Sequence, residues 1–287
     1  MELRTKSLIN LIDSWLDEDI GRGDLSTIAI DQEFGSAYWI SKDTGIFCGG
    51  NLVKMIFERL DTAIDINLLI KDGESVVPNQ TIIKLNGPTK SLLAGERTAL
   101  NIAMHLSGIA TKTFSMVKEL KGTGIKLADT RKTTPGLRIL EKYATRCGGG
   151  KNHRFGLDDA AMLKENHLAW SGNLRKSLEC IREEAPWTSR IIVEAENEQQ
   201  AIDAVQAGAD AVLLDEMPPK LLKQLIPRLR NLAKQRGEDC GPTEIVLEAS
   251  GINPMEIKNY TETGIDLISS SAPITRSNWI DFSMRFK

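Results

Sequence analysis

The sequence lacks features that would place it in several protein classes. It has no apolar run approaching the ~20 residues needed to span a bilayer. No apolar stretch with a small-residue cleavage site follows its first residues. Its 36 basic and 39 acidic residues give a net charge of -3, so there is no bulk basic excess to hold a nucleic-acid backbone. We therefore expect neither a membrane partner nor a nucleic-acid partner, and we expect a cytoplasmic protein.

Cysteine is scarce and scattered. Cys48, Cys147, Cys180 and Cys240 form no C-x-x-C pair, so neither a zinc site nor a disulfide framework is indicated. We expect reduced thiols, as is usual in the cytoplasm. The chain also lacks the H-E-x-x-H, P-loop and G-x-S-x-G motifs, which removes the usual signals of metalloproteases, P-loop NTPases and α/β-hydrolases.

The remaining composition is that of an ordinary globular protein, with 41% hydrophobic and 26% charged residues among 287. In the first part of the chain, residues 7–18 have the apolar spacing of an amphipathic helix. Short alternating runs at 37–40, 64–69 and 81–85 predict strands, and residues 95–120 predict a long helix. This part is expected to form a small sheet with helices.

From residue 124 onward, apolar strands alternate with amphipathic helices. The predicted strands are 125–128, 161–163, 191–193, 211–214, 245–247 and 267–268, and the predicted helices are 136–147, 173–184, 198–207, 219–235 and 254–263. Repeated strand–helix units indicate a parallel sheet. At this point both a barrel and an open doubly wound sheet remain possible.

Each of these strands is followed by charged or hydroxyl residues. In chain order they are Thr130, Arg131 and Lys132, then Lys164, Glu194, Asp215, Glu248 with Ser250 and Gly251, and Ser270 with Ser271. The catalytic groups of α/β barrels lie at the carboxyl ends of the strands, so this pattern favours an active site at that edge. A structural ion-pair network is the alternative interpretation.

The charges indicate what such a site binds. Arg131, Lys132 and Lys164, together with the nearby His153-Arg154 pair, would form a dense cationic patch in an acidic protein. Unpaired cations are costly to bury, so the patch indicates a ligand with several carboxylates or phosphates. Glu194 and Asp215 cannot bind an anion directly, but they suit a magnesium ion that bridges to phosphate, or a developing cation.

Several runs of residues resemble the quinolinate phosphoribosyltransferase family, and the resemblance covers nearly the whole chain. The runs are E-R-T-A-L-N from Glu96, D-T-R-K-T-T-P-G-L-R from Asp129, G-G-G-K-N-H-R from Gly148, L-K-E-N-H from Leu163, V-E-A-E-N from Val193 and L-E-A-S-G from Leu247. Differences from many members are Ile192 in place of Glu, Ile252 directly after Ser250-Gly251, and Ser270-Ser271-Ala272-Pro273 after the last strand.

The resemblance implies a fold and an activity. The fold would be α/β, with an N-terminal α/β sandwich domain (residues 1–115, on which residues 275–287 are candidates to pack) and an incomplete parallel α/β barrel (residues 116–274). The enzyme would be a pentosyltransferase that converts quinolinate and phosphoribosyl pyrophosphate to nicotinate mononucleotide, pyrophosphate and CO2, with Mg2+, in NAD biosynthesis. The alternatives are a related phosphoribosyltransferase with another acceptor, or a non-catalytic homologue that binds a phosphometabolite.

The resemblance also implies roles for individual residues. The expected quinolinate ligands are Arg131, His153, Arg154 and Lys164, with Arg97 supplied by the neighbouring subunit of a homodimer or larger homo-oligomer. Lys132, Glu194 and Asp215 are the expected catalytic residues: Lys132 would contact phosphoribosyl pyrophosphate, and the two carboxylates would handle the ribose hydroxyls and magnesium pyrophosphate. Ser250, Gly251, Ser270 and Ser271 would lie at the 5′-phosphate, and Thr130 and Glu248 are further candidates for substrate binding.

Overall fold

A computed structural model of the chain describes residues 6–167, 172–237 and 241–287, so Cys240 lies outside the described residues. The chain forms two compact units. The first contains residues up to 114 together with 140–149 and 276–287, and the second contains residues 115–139 and 150–275. The sequence analysis drew the boundary after residue 115 and did not assign 140–149 to the first unit. No described helix is long and apolar enough to cross a membrane.

The first unit is built on a four-stranded antiparallel sheet of order β12-β1-β5-β3. Its strands are β1 (Phe34–Ser41), β3 (Asp65–Leu68), β5 (Thr81–Pro88) and β12 (Phe282–Phe286), and a second, two-stranded sheet joins β2 (Gly45–Ile46) to β4 (Ser75–Val76). The strands predicted at 37–40, 64–69 and 81–85 are thereby confirmed. The C-terminal strand β12 pairs with β1 along its length, so the end of the chain completes this sheet.

Three helices belong wholly or mainly to the first unit. Helix α1 (Lys6–Ile20) confirms the predicted amphipathic helix, whereas helix α2 (Gly50–Leu60) was not predicted. Helix α3 (Thr89–Glu119) begins earlier than the predicted residue 95. Gly95 lies inside this helix, and a Cβ there would be 2.7 Å from the Phe57 ring, so the glycine serves close packing and does not start the helix.

The second unit is built on six parallel strands of spatial order β6-β11-β10-β9-β8-β7. They are β6 (Lys126–Ala128), β7 (Ala161–Leu163), β8 (Ile191–Ala195), β9 (Ala211–Asp215), β10 (Val246–Ser250) and β11 (Leu267–Ser269). Each strand lies beside its neighbour in sequence, and the first lies beside the last, which is the cyclic order of a barrel. Among the described residues β6 and β7 do not pair, so the predicted incomplete barrel is confirmed and the open doubly wound sheet is excluded.

The remaining helices follow the predicted alternation. They are α4 (Arg138–Cys147), α5 (Leu174–Glu184), α6 (Glu198–Ala207), α7 (Pro219–Gln235) and the single turn α8 (Ala272–Thr275). An α-helix was predicted at 254–263, and this prediction is wrong: the segment is a 3-10 helix, Pro254–Tyr260. The hydroxyls of Thr261 and Thr263 donate to backbone carbonyls three residues earlier, which ends the helix at that point.

The barrel sheet has two different faces. Its outer face carries Val193, Val212, Leu214 and Leu247, which pack with helix residues into the large hydrophobic core of this unit. The opposite, inner face carries a small separate cluster of buried residues. Because side chains alternate between the faces along each strand, the polar residues in phase with the small cluster must also lie on the inner face.

Candidate active site

Three carboxylates and a hydroxyl share the inner face of the barrel at the carboxyl ends of its strands. Glu194 on β8, Leu213 on β9 and Glu248 on β10 are register partners, so their side chains point to the same face. Two residues further along, Asp215 is paired in register with Ser250. The sequence predicted this grouping from strand ends alone, and the register accounts for it.

The floor beneath these carboxylates is apolar. Ile192, Ala211 and Leu213 are buried together, and the partly buried Met162 and Val246 pack against them. Ile192 stands where many members of the resembled family carry Glu, and here it fills part of this floor. An apolar floor limits water access beneath the charged groups and strengthens electrostatic interactions above it.

The loop after β6 is held by Asp129, which is fully buried. Its carboxylate accepts hydrogen bonds from Asn152 Nδ2 at 2.6 Å and from the backbone N–H of His153 at 2.8 Å. A backbone bridge between Ala128 and Lys151 lies beside it, on the free edge of β6. Asp129 therefore joins the segment after β6 to the segment that carries His153.

The His153 ring has a partner at both nitrogens. Nδ1 accepts from the backbone N–H of Arg154 at 2.8 Å, and Nε2 lies 3.2 Å from Glu248 Oε2. Because Nδ1 accepts, the proton of a neutral ring is on Nε2 and is donated to Glu248. Glu248 is 2% exposed, and its other oxygen, Oε1, has no partner among the described residues. This geometry favours an orienting role for His153 and leaves Glu248 Oε1 available to a donor on a ligand.

Three cations near these carboxylates have no carboxylate partner. Arg131, Lys132 and Arg154 make no ion pair with any residue in the described part of the chain. Arg154 donates only to the carbonyl of Ala160, at 2.9 Å. Its burial, and next the neighbouring Arg131 cation, lower the pKa of the Arg154 guanidinium. Two neighbouring guanidinium groups without a counter-charge form a site for an anion, and planar carboxylates fit them well.

Arg138 is a positioning residue that the sequence analysis did not identify. Its guanidinium donates to Thr133 Oγ1 at 3.1 Å and to the carbonyl of Phe155 at 2.9 Å. It thereby connects the loop that carries Arg131 to the segment that follows Arg154. Only its place in the D-T-R-K-T-T-P-G-L-R run could have drawn attention to it.

Lys164 and Glu194 form an ion pair, and this contact connects two predicted parts of the site. Lys164 was predicted to hold the acceptor, and Glu194 was predicted to bind the ribose. The Lys164 side chain is 46% exposed, whereas that of Glu194 is 13% exposed, so the pair is open on the lysine side. Direct contact between the two means that the positions they would serve are adjacent.

The turn after β10 requires a glycine. Gly251 has φ +72°, and a Cβ there would lie 3.3 Å from Asp215 Oδ1 and closer still to the Glu216 side chain. The Ser250 hydroxyl donates to Asp215 Oδ1, so the turn is fixed against the end of β9. Ser250, Gly251 and Asp215 are thus brought together as predicted.

The remaining predicted residues lie at three places. Thr130 Oγ1 accepts from the backbone N–H of Lys132 at 3.0 Å, which fixes the backbone of this loop. The backbone N–H of Ser270 donates to Ala128 at 3.0 Å, so the turn after β11 lies beside the end of β6, and Ser271 follows it, partly exposed. Arg97 lies in the other unit, exposed on α3.

Comparison with protein families gives two matches. A family model described as the C-terminal domain of quinolinate phosphoribosyl transferase matches residues 109–285. A second model, described as the N-terminal domain of the same family, matches residues 24–107.

Comparison with individual proteins gives the same result. The chain is 40% identical over 283 residues to a probable nicotinate-nucleotide pyrophosphorylase (carboxylating) from Synechocystis sp., an alignment that covers 96% of this chain and 90% of that protein. It is 40% identical over 284 residues to the protein of that name from Bacillus subtilis, covering 98% and 93%. The solved structure of the nicotinate-nucleotide pyrophosphorylase from Francisella tularensis is 33% identical and superposes with a TM-score of 0.92, covering 100% of this chain and 98% of that one.

Proposed function

Because the chain belongs to the quinolinate phosphoribosyltransferase family, we propose that it transfers the phosphoribosyl group of phosphoribosyl pyrophosphate to quinolinate. The transfer is coupled to decarboxylation and gives nicotinate mononucleotide, pyrophosphate and CO2. This is the carboxylating nicotinate-nucleotide pyrophosphorylase reaction of NAD biosynthesis, and it makes the protein a pentosyltransferase.

The observation that carries this proposal is the Lys164–Glu194 ion pair. The reaction joins a doubly negative acceptor to a ribose carbon that becomes positively charged. A cation for the acceptor and a carboxylate for the ribose must therefore lie next to each other, at the position of the new bond. Lys164 and Glu194 meet this requirement.

The acceptor is held by cations. Arg131 and Arg154, neither of them in an ion pair, bind the quinolinate carboxylates, with Lys164 on the side of the ribose. His153 acts through its position: it fixes Glu248 and the backbone of Arg154. Holding the acceptor nitrogen in line with the ribose carbon supplies much of the rate acceleration.

The donor is held on the carboxylate side of the site. Glu194 and Asp215 stabilise the positive charge that develops on the ribose as pyrophosphate departs, and they accept hydrogen bonds from its hydroxyls. Lys132 binds the phosphates of the donor. Ser250, Gly251, Ser270 and Ser271, in the turns after β10 and β11, lie at the 5′-phosphate.

The site fits a magnesium ion held mainly through the substrate. Glu194 and Asp215 offer hard oxygen ligands, but in the described part of the chain they belong to no cluster of three ligating side chains within 4.8 Å. Magnesium is commonly bound by one or two carboxylates together with substrate phosphates and waters. When bound, the ion neutralises charge on the leaving pyrophosphate.

The bond changes follow from these positions. The quinolinate nitrogen attacks the ribose carbon on the face opposite to the departing pyrophosphate and becomes a pyridinium. The pyridinium withdraws electrons, so the adjacent C2 carboxylate leaves as CO2 and a proton replaces it. No covalent bond to the enzyme is needed, and the carbanion formed at C2 is stabilised by the neighbouring positive nitrogen.

The assembly and the compartment are also part of the proposal. We infer a homodimer or larger homo-oligomer, in which the partner subunit's Arg97 completes the acceptor site. Arg97 is exposed on α3, which leaves it accessible to a second subunit. The free thiols Cys48, Cys147 and Cys180 suit the reducing cytoplasm.

The experiment that tests the reaction is release of labelled CO2 from quinolinate labelled at the C2 carboxylate. We expect release that requires both phosphoribosyl pyrophosphate and Mg2+, together with formation of nicotinate mononucleotide. Nicotinate, which lacks the C2 carboxylate, is the control acceptor. Tight quinolinate binding without CO2 release would overturn the proposal and indicate a pocket kept for binding.

A further inference from the structure

The first unit contains a pair of cysteines that the proposed reaction does not use. Cys48 follows β2 and is fully buried, and Cys147 is the last residue of α4 and is partly exposed. Their sulfur atoms and a carboxylate oxygen of Asp72 all lie within 4.8 Å of one another. The two thiols are hydrogen-bonded to each other.

The surroundings hold both thiols in place. Asp72 Oδ1 accepts from the backbone N–H groups of Gly49 and Gly50, each at 2.9 Å, next to Cys48. Asp72 Oδ2 accepts from the hydroxyl of Tyr143 at 2.7 Å, and Tyr143 is one helical turn before Cys147 on α4. Asp72 therefore connects the backbone beside one thiol to the helix that carries the other.

We propose that Cys147 and Cys48 are a reversible oxidation site, which forms an intramolecular disulfide when the protein meets a hydroperoxide. The contact between the two sulfur atoms and their unequal exposure carry the proposal. Cys147 is the thiol that a small oxidant can reach, and Cys48 is the thiol already positioned to displace the product.

The environment of each thiol fits its part. The hydrogen bond from Cys48, and next one from Tyr143, lower the pKa of the Cys147 thiol, although burial and Asp72 oppose them. Burial, and next the contact with Cys147, raise the pKa of Cys48 well above its usual range. An accessible thiolate beside a resolving thiol is the usual arrangement of redox-sensing cysteines.

The oxidation proceeds in two balanced steps. The Cys147 thiolate attacks one oxygen of hydrogen peroxide, the O–O bond breaks, and the products are a sulfenic acid and hydroxide. The Cys48 thiol then forms the S–S bond with the Cys147 sulfur, and water leaves with the sulfenic oxygen. The two sulfur atoms lose one electron each, and the peroxide gains both.

A bound soft metal ion is the other possibility for two thiols and a carboxylate. The structure favours oxidation for two reasons. Asp72 already accepts three hydrogen bonds from within the chain. The raised pKa of Cys48 also keeps its proton on the sulfur, whereas a metal ligand must be a thiolate.

The test uses the full-length protein, reduced, freed of metal by chelation and then treated with one equivalent of hydrogen peroxide. We expect the intact mass to fall by about 2 Da. Peptide mapping should then find Cys48 linked to Cys147, and dithiothreitol should restore the original mass. Cys180→Ser is the matched control, because it removes an exposed thiol elsewhere and should leave the link unchanged.

Two variants test the separate parts of the two thiols. Cys48→Ser keeps a hydrogen-bond donor but cannot form the link, so Cys147 should accumulate a sulfenic acid that dimedone traps. Cys48→Ala removes the donor, so the pH midpoint for alkylation of Cys147 by iodoacetamide should rise relative to the unchanged chain.

The proposal is overturned if peroxide oxidises Cys180 while Cys48 and Cys147 remain unlinked. It is also overturned if the purified protein holds one equivalent of zinc that protects both thiols from peroxide, since the pair is then a metal site. The catalytic assay of the proposed function plays no part in these readouts, so the two proposals fail independently.

Discussion

At the scale of single residues, Asp129 does more for the site than a residue that touches substrate would need to. Its buried carboxylate must accept from two donors, Asn152 Nδ2 and the His153 backbone. In Asp129→Asn one oxygen becomes an NH2 group, so one of these donors loses its partner. We expect the free energy of unfolding to fall by about 2 kcal/mol. We also expect the KM for quinolinate to rise, because the segment carrying Arg154 is displaced.

Chemical denaturation and steady-state kinetics measure the two effects. Asp158→Asn is a suitable control, because Asp158 is an exposed carboxylate close by in the same segment. Unchanged stability and an unchanged KM in Asp129→Asn would show that this carboxylate does not hold the segment in place.

The unpaired cations make a second prediction at this scale. Arg131→Ala removes a guanidinium whose charge the chain itself does not neutralise, so its loss should be felt mainly by a bound anion. We expect kcat/KM to fall roughly a thousandfold, equivalent to about 4 kcal/mol of transition-state stabilisation, with the fold intact. The same is expected of Lys132→Ala. The exposed Lys121→Ala is the control, and near-normal activity in Arg131→Ala would contradict the assignment.

The sequence was sufficient to predict which residue types gather at the site, but not how they divide the work. Arg131, Glu194 and Asp215 follow strands, so the alternation of strands and helices places them at one edge. The two partners of the His153 ring come from residues far apart in sequence, as Glu248 illustrates. Such contacts depend on the register between strands, which no local pattern of residues specifies.

At the scale of elements, predictability depends on length and periodicity. Strands β7 and β9 and helices α6 and α7 of the second unit were predicted almost to the residue, because each is a distinct apolar run between turns. Strands β2 and β4 have two residues each, which is too short to show alternation. The start of α3 was predicted too late, because Gly95 was taken as a boundary when it is a packing position.

A second glycine supports a prediction about how elements pack. Gly148 follows α4 directly, and a Cβ there would lie 2.6 Å from Thr113 Cβ and closer still to the carbonyl oxygen of Ala110, both on α3. A backbone carbonyl on a helix cannot move aside without breaking the helix geometry. Gly148→Ala should therefore lower the free energy of unfolding by about 2 kcal/mol or more.

Thermal or urea unfolding checks this result against Gly237→Ala. At Gly237 nothing lies within 4 Å of the added Cβ, and φ is outside the left-handed range, so this variant should be no less stable than the unchanged chain. Equal stability of the two variants would show that α3 and the end of α4 are not as closely packed as the structure has them.

At the scale of the whole molecule, sequence reasoning reaches least far. Cys48 and Cys147 were interpreted as unrelated thiols, because nothing in their spacing indicates that they meet. The same limit applies to Arg97, which is one exposed cation on a helix with exposed cations elsewhere. Only the family resemblance gives Arg97 a role, and that role requires a second copy of the chain.

This requirement leads to a quantitative test with two inactive variants, Arg97→Ala and Lys132→Ala. If each site combines its own Lys132 with the partner subunit's Arg97, a mixed dimer has one site with both substitutions and one intact site. Random exchange of subunits makes half of the dimers mixed, so an equal mixture should recover about a quarter of the normal activity. Activity of the two variants is measured separately, and then after mixing under conditions that permit exchange. If Arg97 instead serves its own chain, every site keeps one defect and the mixture stays inactive, which would remove the shared-site arrangement.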